Sequence, residues 1–325
     1  MAEKPPFISV VTPSLNQGAY IEENIKSVLN QKYPNFEHII IDGDSIDGTI
    51  DILKKYKHLI WVSKKDSGQS EAINKGIKRA KGEIIGWLNS DDFYEPNVFF
   101  TIVKELNRDE CKYIVFGDCY AVDEKGRMPA YYKAKLPHSK NWFKYWKKDY
   151  VIHSAAVFFY RDVFEKIGYF DESLHYTMDD DYWLRVNRYY QFHQINKPIA
   201  NIRFHHHMKT ISRDEMFERE WFTILKKNWP DLPFIDRYYH LLMALSYRSN
   251  SMRMNAYSKM GELSSREFRK EIFLALIINP LNLFKIKFMS ALFRTIFGHR
   301  FSNLIKTFFI KARAFNKKYT QQRTE

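Results

Sequence analysis

The sequence predicts an α/β fold: a mostly parallel sheet flanked by helices, followed by an α-helical C-terminal region. Three observations predict it. Short apolar, β-rich runs alternate with stretches of helical spacing through the N-terminal half. Each run ends in a polar cluster rather than in a tight hairpin turn. Beyond Trp229-Pro230 the pattern turns basic and helical.

The elements follow in order. Phe7–Val11 is a buried-strand run that stops at Thr12-Pro13-Ser14. Ala19–Asn30 has helical spacing, with Ile21, Ile25, Val28 and Leu29 on one face. Phe36–Ile41 is a second strand and ends in a cluster from Asp42 to Thr49. Ile50–Lys57 reads as a helix and Ile60–Ser63 as a third strand. Asp66-Ser67-Gly68 opens a helix that runs through Ala80. Glu83–Leu88 is the next strand, then a helix over Val98–Leu106 and a strand over Tyr113–Gly117. Strands separated by helices of this length make βαβ units, and hence parallel pairing.

In a parallel sheet the carboxyl ends of the strands share one edge, where open α/β folds bind ligands. The clusters Thr12–Asn16, Asp42–Asp47, Asp66–Gln69 and Asn89–Asp92 therefore converge. Asp91 and Asp92 are the most informative pair. Two like charges about 4 Å apart repel by roughly 4 kcal/mol at an effective dielectric near 20. A cation, or a group of hydrogen-bond donors, must compensate them. Oxygen ligands at such a corner suit Mg²⁺ or Mn²⁺, ions that take phosphate as a further ligand. The helix N-termini that follow the clusters suit phosphate as well. A structural alternative stays open: Asp91-Asp92 could cap the next helix, with Pro96 in its first turn, and Asp66 could cap the helix after Gly68.

Bulk properties narrow the class. A chain of 325 residues holds one large or two modest domains and buries a substantial core. Cys111 and Cys119 make neither a disulfide framework nor a zinc site and read as small core residues of a reducing compartment. Met1–Pro6 leads directly into the first strand, so no leader is expected, and no apolar run is long enough to span a bilayer. Net charge is +13, and residues 231–325 carry +11 of it. Two regions with different partners are expected: a catalytic unit over 1–230 and a basic amphipathic helical region over 231–325. In the latter, Phe301, Leu304, Ile305, Phe308 and Phe309 share a face, with Lys306, Lys311 and Arg313 off it. That composition fits an anionic membrane surface, with a helical layer packed on the catalytic unit as the alternative. Nucleic acid is set aside, because no recognition motif is present and the clusters are acidic.

Phe7–Asn16 with its following helix, Ile39–Thr49, Asp66–Gly76 and Gly82–Asp92 together resemble the family 2 glycosyltransferases of GT-A fold, a Rossmann-like architecture. The similarity extends to about residue 210. It implies a nucleotide-diphosphate sugar donor seated on Mn²⁺ or Mg²⁺. Asp92 is then the direct metal ligand, with Asp91 near the ribose or the ion. Thr12, Ser14, Asn16, Asp42, Asp44, Asp66, Gln69 and Ser90 become the donor-binding set. Two departures stand out. Leu15 replaces an aromatic that many members use to stack on the base. Gly43 replaces a second carboxylate that contacts the base in some relatives, leaving Asp42 and Asp44 as substitutes.

The second half reads less sharply. His153–Tyr160 is a strand, with His153 a candidate acceptor-pocket residue, and Arg161–Ile167 a short helix. Asp179-Asp180-Asp181 then opens a helix, where carboxylates also complement the dipole. An acceptor hydroxyl needs a carboxylate base. The resemblance gives that role to Asp179, with Asp180 as the rival because Met178 stands where relatives are acidic. A strand over Gln194–Phe204 leads to His205-His206-His207, with alternate histidines on one face. By resemblance His205 completes the metal shell or contacts the diphosphate, which Lys209 neutralises; exposed, unliganded histidines are the structural alternative.

The expectation is an inverting, metal-dependent glycosyltransferase acting on a lipid-linked or surface glycan precursor. It would sit peripherally on the cytoplasmic face of the cell membrane. A nucleotidyltransferase and a non-catalytic membrane scaffold on a degenerate transferase fold are the alternatives. The first lacks its glycine-rich loop over Thr12–Gly18.

Overall fold

The computed structural model describes residues 4–106, 113–127, 130–135, 152–206 and 214–228. Cys111, His207, Lys209 and the whole of 231–325 lie outside the described residues. Among the described residues no helix is long and apolar enough to cross a membrane.

Among the described residues one nine-stranded sheet forms, in the order β3-β2-β1-β4-β8-β6-β9-β5, with β7 added to β6. Its first half is parallel: β1 (Ile8–Ser14) lies between β2 (Phe36–Asp42) and β4 (Ile84–Trp87), and β3 (Leu59–Ser63) lies outside β2. These strands are apolar along their length because helices cover them. On β1, Ile8, Val10 and Val11 are all fully buried. Register places Ser14 beside Asp42, and Asp42 beside Ser63, so the polar ends meet at one edge.

The second half is mixed. β8 (Val157–Tyr160) runs antiparallel to both β4 and β6 (Ile114–Val122), whereas β9 (Phe192–Arg203) is parallel to β6. Two short strands escape the sequence reading, β5 (Phe93–Tyr94) and β7 (Ala130–Tyr132). β6 also runs past Gly117, where its end is expected. The glycine is a contact rather than a stop: a Cβ there would lie 2.8 Å from Ile199 Cγ1 on β9. The β6–β9 register shifts at Gly117 and Asp118, just where Pro198, which has no N–H to donate, enters the ladder.

Helices α1 (Ile21–Leu29), α2 (Thr49–Leu53), α3 (Gln69–Arg79) and α4 (Val98–Leu106) connect the parallel strands and their neighbours. The buried face of α1 is Ile21, Asn24, Ile25 and Val28; Leu29, expected on that face, is exposed. α2 is shorter than its apolar spacing suggests and ends before the Lys54–Tyr56 turns. α5 (Asp162–Ile167), α6 (Met178–Asn187) and α7 (Asp214–Asn228) follow among the described residues. α6 buries Tyr182 and Trp183 among aromatics, with Tyr182 stacked on Phe170 at 4.3 Å and Trp183 on Phe159 at 5.6 Å. Cys119 is buried in the sheet core, as its composition suggests.

α3 touches β1 through Gly76, where a Cβ would stand 2.2 Å from Val11 Cγ1. Gly76→Ala gains about 0.5–1 kcal/mol of helix preference and loses about 1–3 kcal/mol to overpacking. The variant is expected to unfold at lower denaturant concentration than the wild type. An unchanged or higher midpoint would show that β1 and α3 separate freely.

Candidate active site

The carboxyl edge of the parallel strands opens into a cavity of about 970 Å³. Three of the expected clusters reach it through Ser14 to Gln17, Asp66 to Gln69 and Asn89 to Asp92; the second strand's cluster reaches it only through Asp47.

Burial sorts the donor-binding candidates. Thr12 is buried inside the sheet, its hydroxyl 2.9 Å from His38 Nε2, and is not brought to the cavity. Burial pushes the His38 pKa down to about 3, so that contact is between neutral groups. Asp42 is also withdrawn. Its carboxylate accepts the N–H groups of Asp44 at 3.1 Å and Ser45 at 2.9 Å, and the hydroxyls of Ser45 at 2.6 Å and Ser63 at 2.7 Å. It therefore folds the loop after β2, while Asp44, at φ 73°, is exposed outside the cavity wall. Asn16, in the left-handed region at φ 53°, joins the first two loops: its N–H donates to Ser45 Oγ and its Oδ1 accepts Ile46 N–H. Ser14 lines the cavity with a buried hydroxyl that has no hydrogen-bond partner among the described residues.

At the third strand end, Asp66 accepts Gly68 N–H at 3.0 Å and does not cap α3. Glu71 instead accepts the N–H and hydroxyl of Ser67, both at 2.6 Å. Burial raises the Asp66 pKa. A Cβ on Gly43 would lie 3.2 Å from its carboxylate and 3.4 Å from Leu15 Cδ1, so Asp66 and Leu15 flank that position.

The capping alternative for Asp91-Asp92 is excluded. The first amides of α4, at Val98 and Phe99, donate to Gln31 Oε1 at 2.7 and 3.3 Å. Asp92 is instead buried under the cavity, accepting Arg203 N–H at 3.1 Å and Asn89 Nδ2 at 3.2 Å. Burial, then the neighbouring Asp91, raises its pKa well above the usual carboxylate range. Asp91 turns its carboxylate to His205, 3.0 Å from Nε2. Ser90 is buried beside them in the lining. Gln69 Nε2 and Trp87 Nε1 both donate to Asn89 Oδ1, at 2.8 and 2.9 Å, which fixes the strand end.

A carboxylate beside an imidazole, with a second carboxylate whose burial a cation would relieve, is a donor set that fits Mn²⁺ or Mg²⁺. No group of three or more His, Cys, Asp or Glu side chains is arranged as a metal cage among the described residues. Such ions commonly take one or two protein carboxylates and complete their shell with phosphate and water.

Across the cavity stand Asp179 and Asp180, in the first turn of α6. Asp181 turns inward to Arg185, 2.8 Å from its Nε, which leaves it a structural role. Asp179 is half-buried, and burial pushes its pKa up to about 6. His153 lines the same cavity with a buried Nε2 that has no partner among the described residues; burial pushes its pKa down to about 4. The sequence reading missed His175, Tyr176, Trp87 and Phe217, which also line the cavity. His175 and Tyr176 stand just before the carboxylate run, which could have flagged them; Phe217, on α7, carried no signal.

The acidic cavity lies at the carboxyl ends of the parallel strands, where the sheet switches to antiparallel pairing and open α/β folds bind ligands. The glycosyl transferase family 2 model matches residues 9–168. An uncharacterized glycosyltransferase of Rickettsia typhi is 33% identical over 238 residues, covering 68% of this chain and 72% of that protein. The chain belongs to the family 2 glycosyltransferases. A putative teichuronic acid biosynthesis glycosyltransferase of Bacillus subtilis, TuaG, is 42% identical over 103 residues, 30% of this chain and 40% of that one. The fold is shared with Staphylococcus aureus TarS 1–349 in complex with UDP, at a TM-score of 0.58 and 16% identity, covering 94% and 92% of the two chains. It is shared too with a Pyrobaculum calidifontis mannosyltransferase in complex with GDP-Man and Mn²⁺, at 0.55 and 15%, covering 91% and 88%.

Arg203 underlies the acidic corner, 2% exposed, with its Nε on Asp91 O and its guanidinium on Asp123 O, Glu124 O and Glu23. A lysine cannot reproduce that planar fork. Arg203→Lys is expected to cost about 2–3 kcal/mol of stability, somewhat below the range for breaking a buried pair outright. Equilibrium denaturation measures it, and a loss under about 0.5 kcal/mol, the level of an ordinary surface substitution, would make the arginine peripheral.

Proposed function

We propose that the chain transfers a sugar from a nucleoside-diphosphate donor to a hydroxyl acceptor, with inversion and with dependence on Mn²⁺ or Mg²⁺. The observation that carries this reading is the pairing across one cavity of an acidic corner, Asp91 with His205, and a half-buried carboxylate, Asp179. Asp91 and His205 would hold the ion, joined by Asp92 when ionised, and the ion supplies charge neutralisation to the departing diphosphate.

The chain's own residues divide the remaining work. Ser14, Asn16, Gln69 and Ser90 line the donor side, and Asp66 provides beside Leu15 the base-facing carboxylate that Gly43 lacks. Asp179, with Asp180 as the alternative, accepts the acceptor hydroxyl's proton as the oxygen attacks the anomeric carbon from the face opposite the diphosphate. His153, neutral near pH 7, is suited to hydrogen-bond that hydroxyl. The basic stretch 231–325 and the likeness to TuaG support a lipid-linked or surface glycan as acceptor, met at an anionic membrane on its cytoplasmic side. Lys209, by the family likeness, would face the diphosphate. In this reading 1–230 is the catalytic region and 231–325 the membrane-contacting one.

Asp179→Asn is expected to lower the transfer rate by about 10²–10⁴-fold with donor binding retained. Only the ionised carboxylate can take a proton, and its pKa lies near 6. Wild-type kcat/KM should therefore fall as pH drops through about 6 and level off above it. A pH profile flat from 5 to 8 would remove Asp179 from the role. Calorimetric titration with UDP and with GDP tests the corner: Asp91→Ala should abolish any dependence of binding on Mn²⁺.

A further inference from the structure

The loop that leads into α6 is held from two sides. On one, Ser70 of α3 donates its hydroxyl to Leu174 O at 2.6 Å. On the other, the Glu220 carboxylate of α7 accepts three consecutive backbone N–H groups, from His175 at 2.8 Å, Tyr176 at 2.7 Å and Thr177 at 3.0 Å. It also accepts the Thr177 hydroxyl at 3.2 Å. Thr177 is the N-cap residue of α6 and makes no side-chain cap of its own. Phe217, one turn earlier on α7, packs its ring 5.2 Å from that of Tyr176.

We propose that Glu220 is a positioning residue for glycosyl transfer: from α7 it fixes the 174–177 loop and, through it, the first turn of α6 that presents Asp179. The inference rests on the reading of Asp179 as the base. Four hydrogen bonds to one carboxylate, three of them from consecutive amides, are far more than a surface acid makes. A carboxylate accepting several N–H bonds is also a strong, directional clamp. The segment it clamps is short and lies at the site. His175 and Tyr176 line the cavity, and His175 Nδ1 sits so close to Gly68 that a Cβ there would be 2.9 Å away. The loop thus has little freedom on the α3 side and takes its remaining register from α7. The 174–177 loop, the first turn of α6 and α7 all lie beyond residues 9–168, which the family model matches.

The test compares full-length Glu220→Gln and Glu220→Asp with wild type and with Asp179→Asn. Release of UDP from UDP-N-acetylglucosamine and of GDP from GDP-mannose gives kcat and KM, and calorimetry gives the affinities for UDP and GDP. Gln matches the size of Glu but turns an NH₂ toward N–H donors; Asp keeps the charge but shortens the reach. A displacement of about 1 Å at a reacting group costs on the order of 10²-fold. Glu220→Gln should therefore lower kcat by about 10–100-fold, with KM and nucleotide affinity within twofold of wild type. Glu220→Asp should recover part of the loss. Wild-type kcat in Glu220→Gln alongside an inactive Asp179→Asn overturns the inference and leaves the base in place. Activity in Asp179→Asn overturns both. Loss of nucleotide binding together with kcat in both Glu220 variants assigns the carboxylate to stability alone and overturns it as well. If neither sugar nucleotide is turned over, amide exchange at residues 175–177 decides: protection that Glu220→Gln leaves unchanged overturns the clamp, and protection lost at least tenfold upholds it.

Discussion

Everything at the carboxyl edge depends on how Arg203 meets the Asp91-Asp92 corner. Two adjacent carboxylates at the end of a buried strand repel each other, and burial adds a solvation cost to the inner one. The fold answers with Arg203 from a distant strand, beside Asn89 on Asp92 and His205 on the Asp91 carboxylate. The Arg203 backbone N–H reaches Asp92, and its guanidinium gathers the carbonyls of Asp91, Asp123 and Glu124 together with the Glu23 carboxylate. Residues from α1, the β4–β5 corner and the turn after β6 are thereby tied to the end of β9. The mixed half of the sheet is thus more than a cover for the parallel half. It brings β9, and with it Arg203 and His205, to strand ends that a parallel sheet alone would leave unsupported.

The parallel half was legible because one physical signal specifies it. Apolar runs of strand length, broken by polar clusters and separated by helices, admit few topologies, and β1 to β4 follow them closely. The ends of elements were less legible for a stated reason. Gly117 read as a terminator, yet it is the point where Ile199 approaches β6; Ile50–Lys57 read as a longer helix because apolar spacing continues past the last helical turn. Local pattern cannot distinguish a glycine that ends a strand from one that admits a neighbour.

The capping alternatives fail because other side chains accept those amides. The sequence offered Asp91, Asp92 and Asp66 as helix caps, and none of them serves. Gln31 on α1 supplies the acceptor for α4, Glu71 closes the turn before α3, and Glu220 on α7 receives the amides before α6. Two of these three acceptors come from more than 40 residues away. Capping rules describe neighbours in sequence, and long-range satisfaction of the same N–H groups obeys them without leaving a local trace. The consequence is functional. Other side chains take the capping work, and Asp66, Asp91 and Asp92 line the cavity instead.

How far each polar group is already used separates scaffold from site more reliably than position in a motif. Asp42, with four hydrogen bonds, and Thr12, paired with His38, sit inside the matching motifs and are fully engaged. Asp181 is consumed by Arg185. Ser14 and the His153 Nε2, in contrast, are buried at the cavity with no partner among the described residues, a state that costs about 1–3 kcal/mol per group unless something binds there. Core groups such as the Tyr94 hydroxyl and Trp183 Nε1 carry the same deficit away from the cavity, so it singles out Ser14 and His153 only together with their place in the lining. The two deficits fall on separate segments of the lining, Ser14 beside the donor loops and His153 just before the strand that leads to α5. In the proposed transfer Ser14 would meet the nucleotide sugar and His153 the hydroxyl that attacks it, two partners bound on separate segments of one cavity.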